Sequence, residues 1–145
     1  GKVVYYATIL YAQNLKVAPL LDSDPAGDQA AQQQTLIHAL GNKSILRTKD
    51  AYSGTVNKPE IEDLLRDTLV QISKEYLGTH VTAEAATQTS RSVVDLLNSS
   101  GNDFSKYKLA KSYVAWTRDH TANDLADVER DQFKTLIDKI NKVLK

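Results

Sequence analysis

NKPEIEDLLRDTLVQISKEYLG, residues 57–78, decides the fold class. Asn57 is a capping side chain shortly before Pro59, whose fixed φ suits a first helical turn, and Glu60, Glu62 and Asp63 place negative charge at the positive end of the dipole. Ile61, Leu64, Leu65, Thr68, Leu69, Ile72 and Tyr76 then recur at spacings of three and four. That is the stripe of an amphipathic helix, and Gly78 is its stop.

Downstream, the same signals repeat. Thr82 is a cap for a helix running through Ala83 to Leu97, ended by Asn98-Ser99-Ser100-Gly101; its first half, Ala83 to Ser90, is mostly small side chains that admit a close neighbour. Asn102 or Asp103 starts a helix from Phe104 to Arg118 carrying Phe104, Tyr107, Ala110, Tyr113, Val114 and Trp116. Thr121 with Asp124 three residues on forms an imperfect capping box for a last helix to the C-terminus. Its stripe is Leu125, Val128, Phe133, Leu136, Ile137, Ile140 and Leu144, with Lys139, Lys142 and Lys145 opposing the dipole at its end.

Upstream, Lys2 to about Ala18 reads as a helix ended by Pro19, although Val, Ile and Tyr leave a strand open for its first six or seven residues. Its apolar positions surround most of the circumference. Asp22 to Gly27 has turn chemistry. A second helix runs from Pro25 or Asp28 to Leu40, with Ala31, Leu36, Ile37 and Leu40 on one side and Gly41-Asn42 as its stop; residues 43–57 carry no helical period and read as irregular or briefly extended. The expected fold is therefore all-α: an antiparallel bundle of five or six helices in one domain over residues 1–145, with an apolar N-terminal helix within 1–21, a helix plus irregular connection over 25–56 and a four-helix unit over 57–145. No repeat of solenoid period is present.

Composition bounds the function. A chain of 145 residues with 41 % apolar and 25 % charged side chains folds without staples. Basic and acidic residues cancel, 18 against 18, and no third of the chain is strongly charged: five basic against four acidic over 1–50, four against seven over 51–100, nine against seven over 101–145. Without a basic stripe, nucleic-acid binding is not expected. The absence of cysteine excludes disulfides, thiolate metal sites and a cysteine nucleophile. No apolar run is long enough to span a membrane, and the opening Val3–Ala12 lacks signal-peptide flanks. The chain opens on Gly1 with no methionine; a processed terminus would favour an extracytoplasmic protein, and a tag remnant predicts the same residue.

Motifs with chemistry are sparse. His38, His80 and His120 are far apart and fit no metal pattern; His120 with Asp124 and Asp127 is the nearest approach to a cluster. Asp22, Asp24, Gly27 and Asp28 resemble the opening of a calcium loop, but Ala26 replaces a ligand and Gln33 stands where a bidentate glutamate is needed. No nucleophile elbow and no phosphate-cradling glycine loop occurs. Asn42-Lys43-Ser44 and Asn98-Ser99-Ser100 fit the glycosylation sequon, which matters only in a secreted eukaryotic chain. No catalytic or metal residue and no cofactor is expected, and the sequence singles out no cofactor-binding residue.

Two surfaces remain. Val3, Val4, Tyr5, Tyr6, Ile9, Leu10 and Tyr11 cover more directions than one bundle face buries, the pattern of a partner surface. Tyr107, Tyr113 and Trp116 sit on one helix and could line a ligand pocket, against the plainer expectation of core packing. The function expected from the first is a non-enzymatic structural or protein–protein interaction protein, a subunit of a homo-oligomer built through its N-terminal helix. The second predicts a monomeric helical ligand-binding or sensor domain.

Overall fold

The computed structural model describes residues 2–33, 38, 40, 44–101 and 103–145 and shows an all-α protein. The α-helices whose bounds lie within these residues are α1 (Lys2–Ala12), α2 (Pro25–Ala31), α3 (Arg66–Leu77), α4 (Thr82–Thr87), α5 (Val93–Ser99), α6 (Lys106–Trp116) and α7 (Asp127–Leu144). Three 3-10 turns join them, at Thr48–Asp50, Ile61–Leu65 and Ala122–Asp124. Two short strands, β1 (Leu20–Leu21) and β2 (Leu46–Arg47), pair in parallel with Leu20 opposite Leu46, and α2 lies in the connection between them.

α3 is the centre of the larger core. It packs most extensively on α6, and Leu69, Val70, Ile72, Val81, Val93, Val94, Leu97, Leu109 and Trp116 are buried together. Ala51, Leu64 and Leu136 form a second cluster, sided by Leu20, Phe133 and Ile140, that ties α7 to the chain's middle. A third cluster of Val4, Ala7, Leu21 and Ala30 holds α1. The stitching between the halves is polar: Asp22 Oδ1 accepts from the Ile61 amide at 3.1 Å, Thr48 Oγ1 donates to the Leu21 carbonyl at 3.1 Å, and Ser23 N donates to Pro59 O at 3.2 Å.

Several boundaries depart from expectation, each for a local reason. α1 is a helix from Lys2 but ends at Ala12, well before Pro19. Asn14 takes a left-handed φ of 58°, Asn14 N donates to Tyr11 O and Leu15 N to Leu10 O, which is a Schellman stop with asparagine in glycine's usual place. α2 starts at Pro25 as read, capped by Asp24 at 2.6 Å from Gly27 N, and closes at Ala31 with Gln32 as its C-cap. Leu36, Ile37 and the Gly41-Asn42 stop lie outside the described residues, as do Asn102 and the first two positions of the Asn42 sequon.

The helix expected from residue 57 begins as a 3-10 turn capped by Glu60 and Asp63 rather than Asn57, then becomes α3 at Arg66; Gly78, at φ 64°, ends it as expected. The single helix read over 82–97 is two, α4 and α5. Ser92 caps α5 by accepting from Asp95 N at 3.1 Å, and the Arg66 guanidinium gathers the carbonyls of Ala85, Gln88 and Arg91 at 2.6–3.2 Å. Ser105 caps α6, which therefore starts at Lys106 rather than Phe104 and gives way at Trp116 to a turn before Arg118. Thr121 with Asp124 does form a capping box, but on a 3-10 turn; α7 starts only at Asp127, where Glu129 accepts from the Ala126 amide at 3.2 Å.

Candidate functional site

Among the described residues, α1 meets its own chain through Val4 and Ala7. Val4 and Ala7 are buried, and Val4 therefore belongs to the N-terminal core rather than to a free surface. At about 100° per residue, Ile9, Tyr5 and Tyr6 fall on the opposite side of the helix. Tyr5 is 64 % exposed and Tyr6 58 %, their rings edge to face at 5.5 Å; Val3, Ile9, Leu10, Tyr11 and, past the helix end, Leu15 are exposed as well. Lys2 is the sole charged residue of the helix. α1 is thus apolar on both sides, and the described residues cover one of them.

The expected ligand trio comes apart. Trp116 is 3 % exposed and part of the main core, stacked between Tyr113 at 6.1 Å and His120 at 4.1 Å, with His120 Nδ1 2.9 Å from Trp116 O. Trp116 Nε1 is buried without a hydrogen-bond partner among the described residues. Tyr107 is 78 % exposed and, nine residues before Trp116, lies on the opposite side of α6 from it. Tyr113 lines a cavity of about 190 Å³ between the 3-10 turn at Ile61–Leu65, α3 and α6, shared with Ile61, Glu62, Leu65, Leu69, Lys106 and Leu109. Burial, and then the charge of Glu129, pushes the Tyr113 hydroxyl pKa up.

Sequence reasoning missed the charged groups at the mouth of that cavity. Lys106, at the first position of α6, pairs with Glu60 at 2.5 Å and with Glu62 at 3.2 Å. Burial pulls the lysine pKa down, but the hydrogen bonds to the two carboxylates outweigh it and hold the ammonium above its ordinary value. Glu62 is one-fifth exposed, and its Oε2 is buried without a hydrogen-bond partner among the described residues. Glu60, Glu62 and Lys106 are 46 positions apart at their widest, so no local spacing links them.

The remaining candidates have structural work. Asp24 caps α2, Asp28 pairs with Arg47 at 2.7 Å, and Asp22 accepts from Ile61 N and Thr48 Oγ1, so the acidic turn faces its own chain instead of converging on a cation. His38 and His80 are exposed. Asp124 accepts from both the amide and the hydroxyl of Thr121. Among the described residues no group of three His, Asp or Glu side chains is placed to hold a metal, and no helix is long and apolar enough to cross a membrane. A comparison with protein-family models, curated proteins and solved structures finds no match to this chain.

Proposed function

We propose that the chain is a non-enzymatic interaction protein that self-associates through α1. The observation that carries this reading is the second apolar side of α1, where Tyr5, Tyr6 and Ile9 face water directly opposite the buried Val4 and Ala7. Two large aromatic rings and an isoleucine left in water on one side of a helix are the kind of exposed apolar patch that marks an interaction site, whereas Tyr11, seven residues after Val4, falls back on the buried side. Tyrosine supplies large contact area with few torsions to freeze, and the rings can pair across a two-fold axis. A second copy fits this face better than a lipid surface does. An interfacial membrane helix carries a strongly basic polar side, and α1 has Lys2 alone.

Sedimentation velocity over a concentration series tests the reading. The expected result is a reversible monomer–dimer equilibrium that Tyr5→Ser with Ile9→Ser weakens by at least about tenfold, the loss of one or more interface anchors. A strict monomer at every concentration would sink the proposal. So would association indifferent to both substitutions, or a monomer that instead binds lipid vesicles through α1.

A further inference from the structure

The exposed side of α1 has ends of unlike charge. At about 100° per residue, Lys2 shares the side of the helix that carries Tyr5, Tyr6 and Ile9, opposite the buried Val4 and Ala7. Gln13 N donates to Ile9 O at 3.2 Å, so the helical turn carries on to Gln13 and places it on the same side. Lys2 and Gln13 are both exposed. The stripe therefore reads cation, tyrosine, tyrosine, isoleucine, neutral amide. Lys2 lies in the first turn, where its ammonium adds to the positive end of the dipole, and that turn has no acidic residue to offset it. The last turn is the negative end and has no basic residue. Lys16, the next cation along the chain, follows the left-handed turn at Asn14 and donates its ammonium to the Lys145 carbonyl.

From this asymmetry we infer that the partner of α1 is the α1 of a second copy running antiparallel, with Tyr6 against the partner's Ile9 and Lys2 against the partner's Gln13. The inference rests on the self-association proposed above and fixes the orientation that it leaves open. The two pairs share one midpoint, between Ala7 and Thr8, so a single two-fold axis perpendicular to the helices makes both contacts twice. Each Lys2 ammonium then approaches the negative end of the opposite helix, where the amide oxygen of the partner's Gln13 can accept from it. A parallel pair instead sets the two Lys2 side chains and two positive helix ends side by side, and α1 holds no carboxylate to relieve them. The apolar middle of the stripe drives association in either orientation, and the charged ends choose between them.

The chain has no cysteine, so crosslinking with a short bis-maleimide reads the orientation directly. Full-length Lys2→Cys and Gln13→Cys chains are mixed, crosslinked and analysed by peptide mass spectrometry. The expected result is that links between positions 2 and 13 of different copies predominate, and that Gln13→Cys alone, with Lys2 in place, gives little homodimer. Gln13→Glu should tighten association by about threefold or more at low salt, as two new ion pairs form across the dimer, and the gain should vanish at high salt. Links of 2 to 2 and 13 to 13 in the majority, all three kinds in statistical proportion, or weaker association of Gln13→Glu would overturn the antiparallel pair while leaving self-association standing. Crosslinking no stronger than in chains that also carry Tyr5→Ser and Ile9→Ser would mean that self-association through α1 itself fails, and this inference with it.

Discussion

Glu129 sits in the first turn of α7, yet its carboxylate is fully buried and serves two helices. It accepts from the Thr68 amide at 3.0 Å and hydroxyl at 2.5 Å near the start of α3, and from the Ala126 amide at 3.2 Å before its own helix. Asp63 repeats the device: Oδ1 accepts from Val93 N at 2.8 Å at the start of α5, and Oδ2 from Glu60 N at 2.9 Å. Each carboxylate satisfies orphan amides at two N-termini and so fixes how the helices meet. Glu129→Ala should lower unfolding free energy by about 2–4 kcal/mol in urea titration, because it strands buried donors as well as removing a contact. In a double-mutant cycle Glu129→Ala and Thr68→Ala should be non-additive. Gly27 is a close-approach position, since a Cβ there would lie 1.9 Å from the Asp22 carbonyl oxygen. Gly27→Ala should destabilise by roughly 1–3 kcal/mol, read as a lower Tm. Asp63 contributes a pH dependence of its own: burial raises its pKa despite the two amide bonds. The folded state then binds the proton more readily than the unfolded state, so this group's contribution is fully present below the ordinary aspartate value and is lost as pH rises through the raised one. Compared with Asp63→Asn, the natural chain should gain relative stability as pH falls from neutral through that window. Asp103, held down by Lys108, and Asp124, held down by the Thr121 amide, have the opposite sign, and their contribution is lost only below the ordinary value.

Arg66 shows how one side chain divides an element. Its guanidinium holds the carbonyls of Ala85, Gln88 and Arg91, the groups that a continuous helix over 82–97 would have used internally. Arg66→Met should therefore cost about 2–3 kcal/mol and increase amide exchange at the α4–α5 junction, and Ser92→Ala about 1 kcal/mol through the lost cap. The same contact explains where the sequence stops being legible. The stripes of Ile61–Tyr76 and Leu125–Leu144 are long enough for a period of 3.6 to declare itself, and both helices are present. The breaks at Gln88–Ser92 and before Asp127 depend on Asp63, Arg66, Thr68 and Glu129, which meet only after folding. Strands of two residues are too short to show any period, so the pair Leu20–Leu21 and Leu46–Arg47 left no signal. Asn14 ends α1 inside an apolar run that continues past it to Val17, so the stop shows only in its left-handed backbone. In α1 the apolar character was plain, but a helix apolar all round does not say which side faces out; Val4 and Ile9 look alike until Leu21 and Ala30 cover one of them. Lys106 and Glu62 lie too far apart along the chain for spacing to have joined them.

At the scale of the molecule, the described residues form three apolar clusters, and the one that carries α1 is far smaller than the one centred on α3. Among the described residues the anchoring of α1 rests on Val4 and Ala7, while Tyr5, Tyr6 and Ile9 face away from them. Substitutions on the two sides should separate cleanly. Val4→Ala should destabilise the monomer by about 1–3 kcal/mol through cavity formation, whereas Tyr5→Ser should leave urea unfolding of the monomer within about 0.5 kcal/mol of the natural chain and weaken association instead. The chain has no cysteine, so a single spin label at Ala12→Cys, on the exposed end of α1, reports on this helix alone. Double electron–electron resonance on that singly labelled protein is the most direct test of self-association through α1. A defined intermolecular distance that fades on dilution with unlabelled chain and disappears with Tyr5→Ser and Ile9→Ser is the predicted result; dipolar coupling no stronger than that of randomly dispersed monomers at high concentration would contradict it.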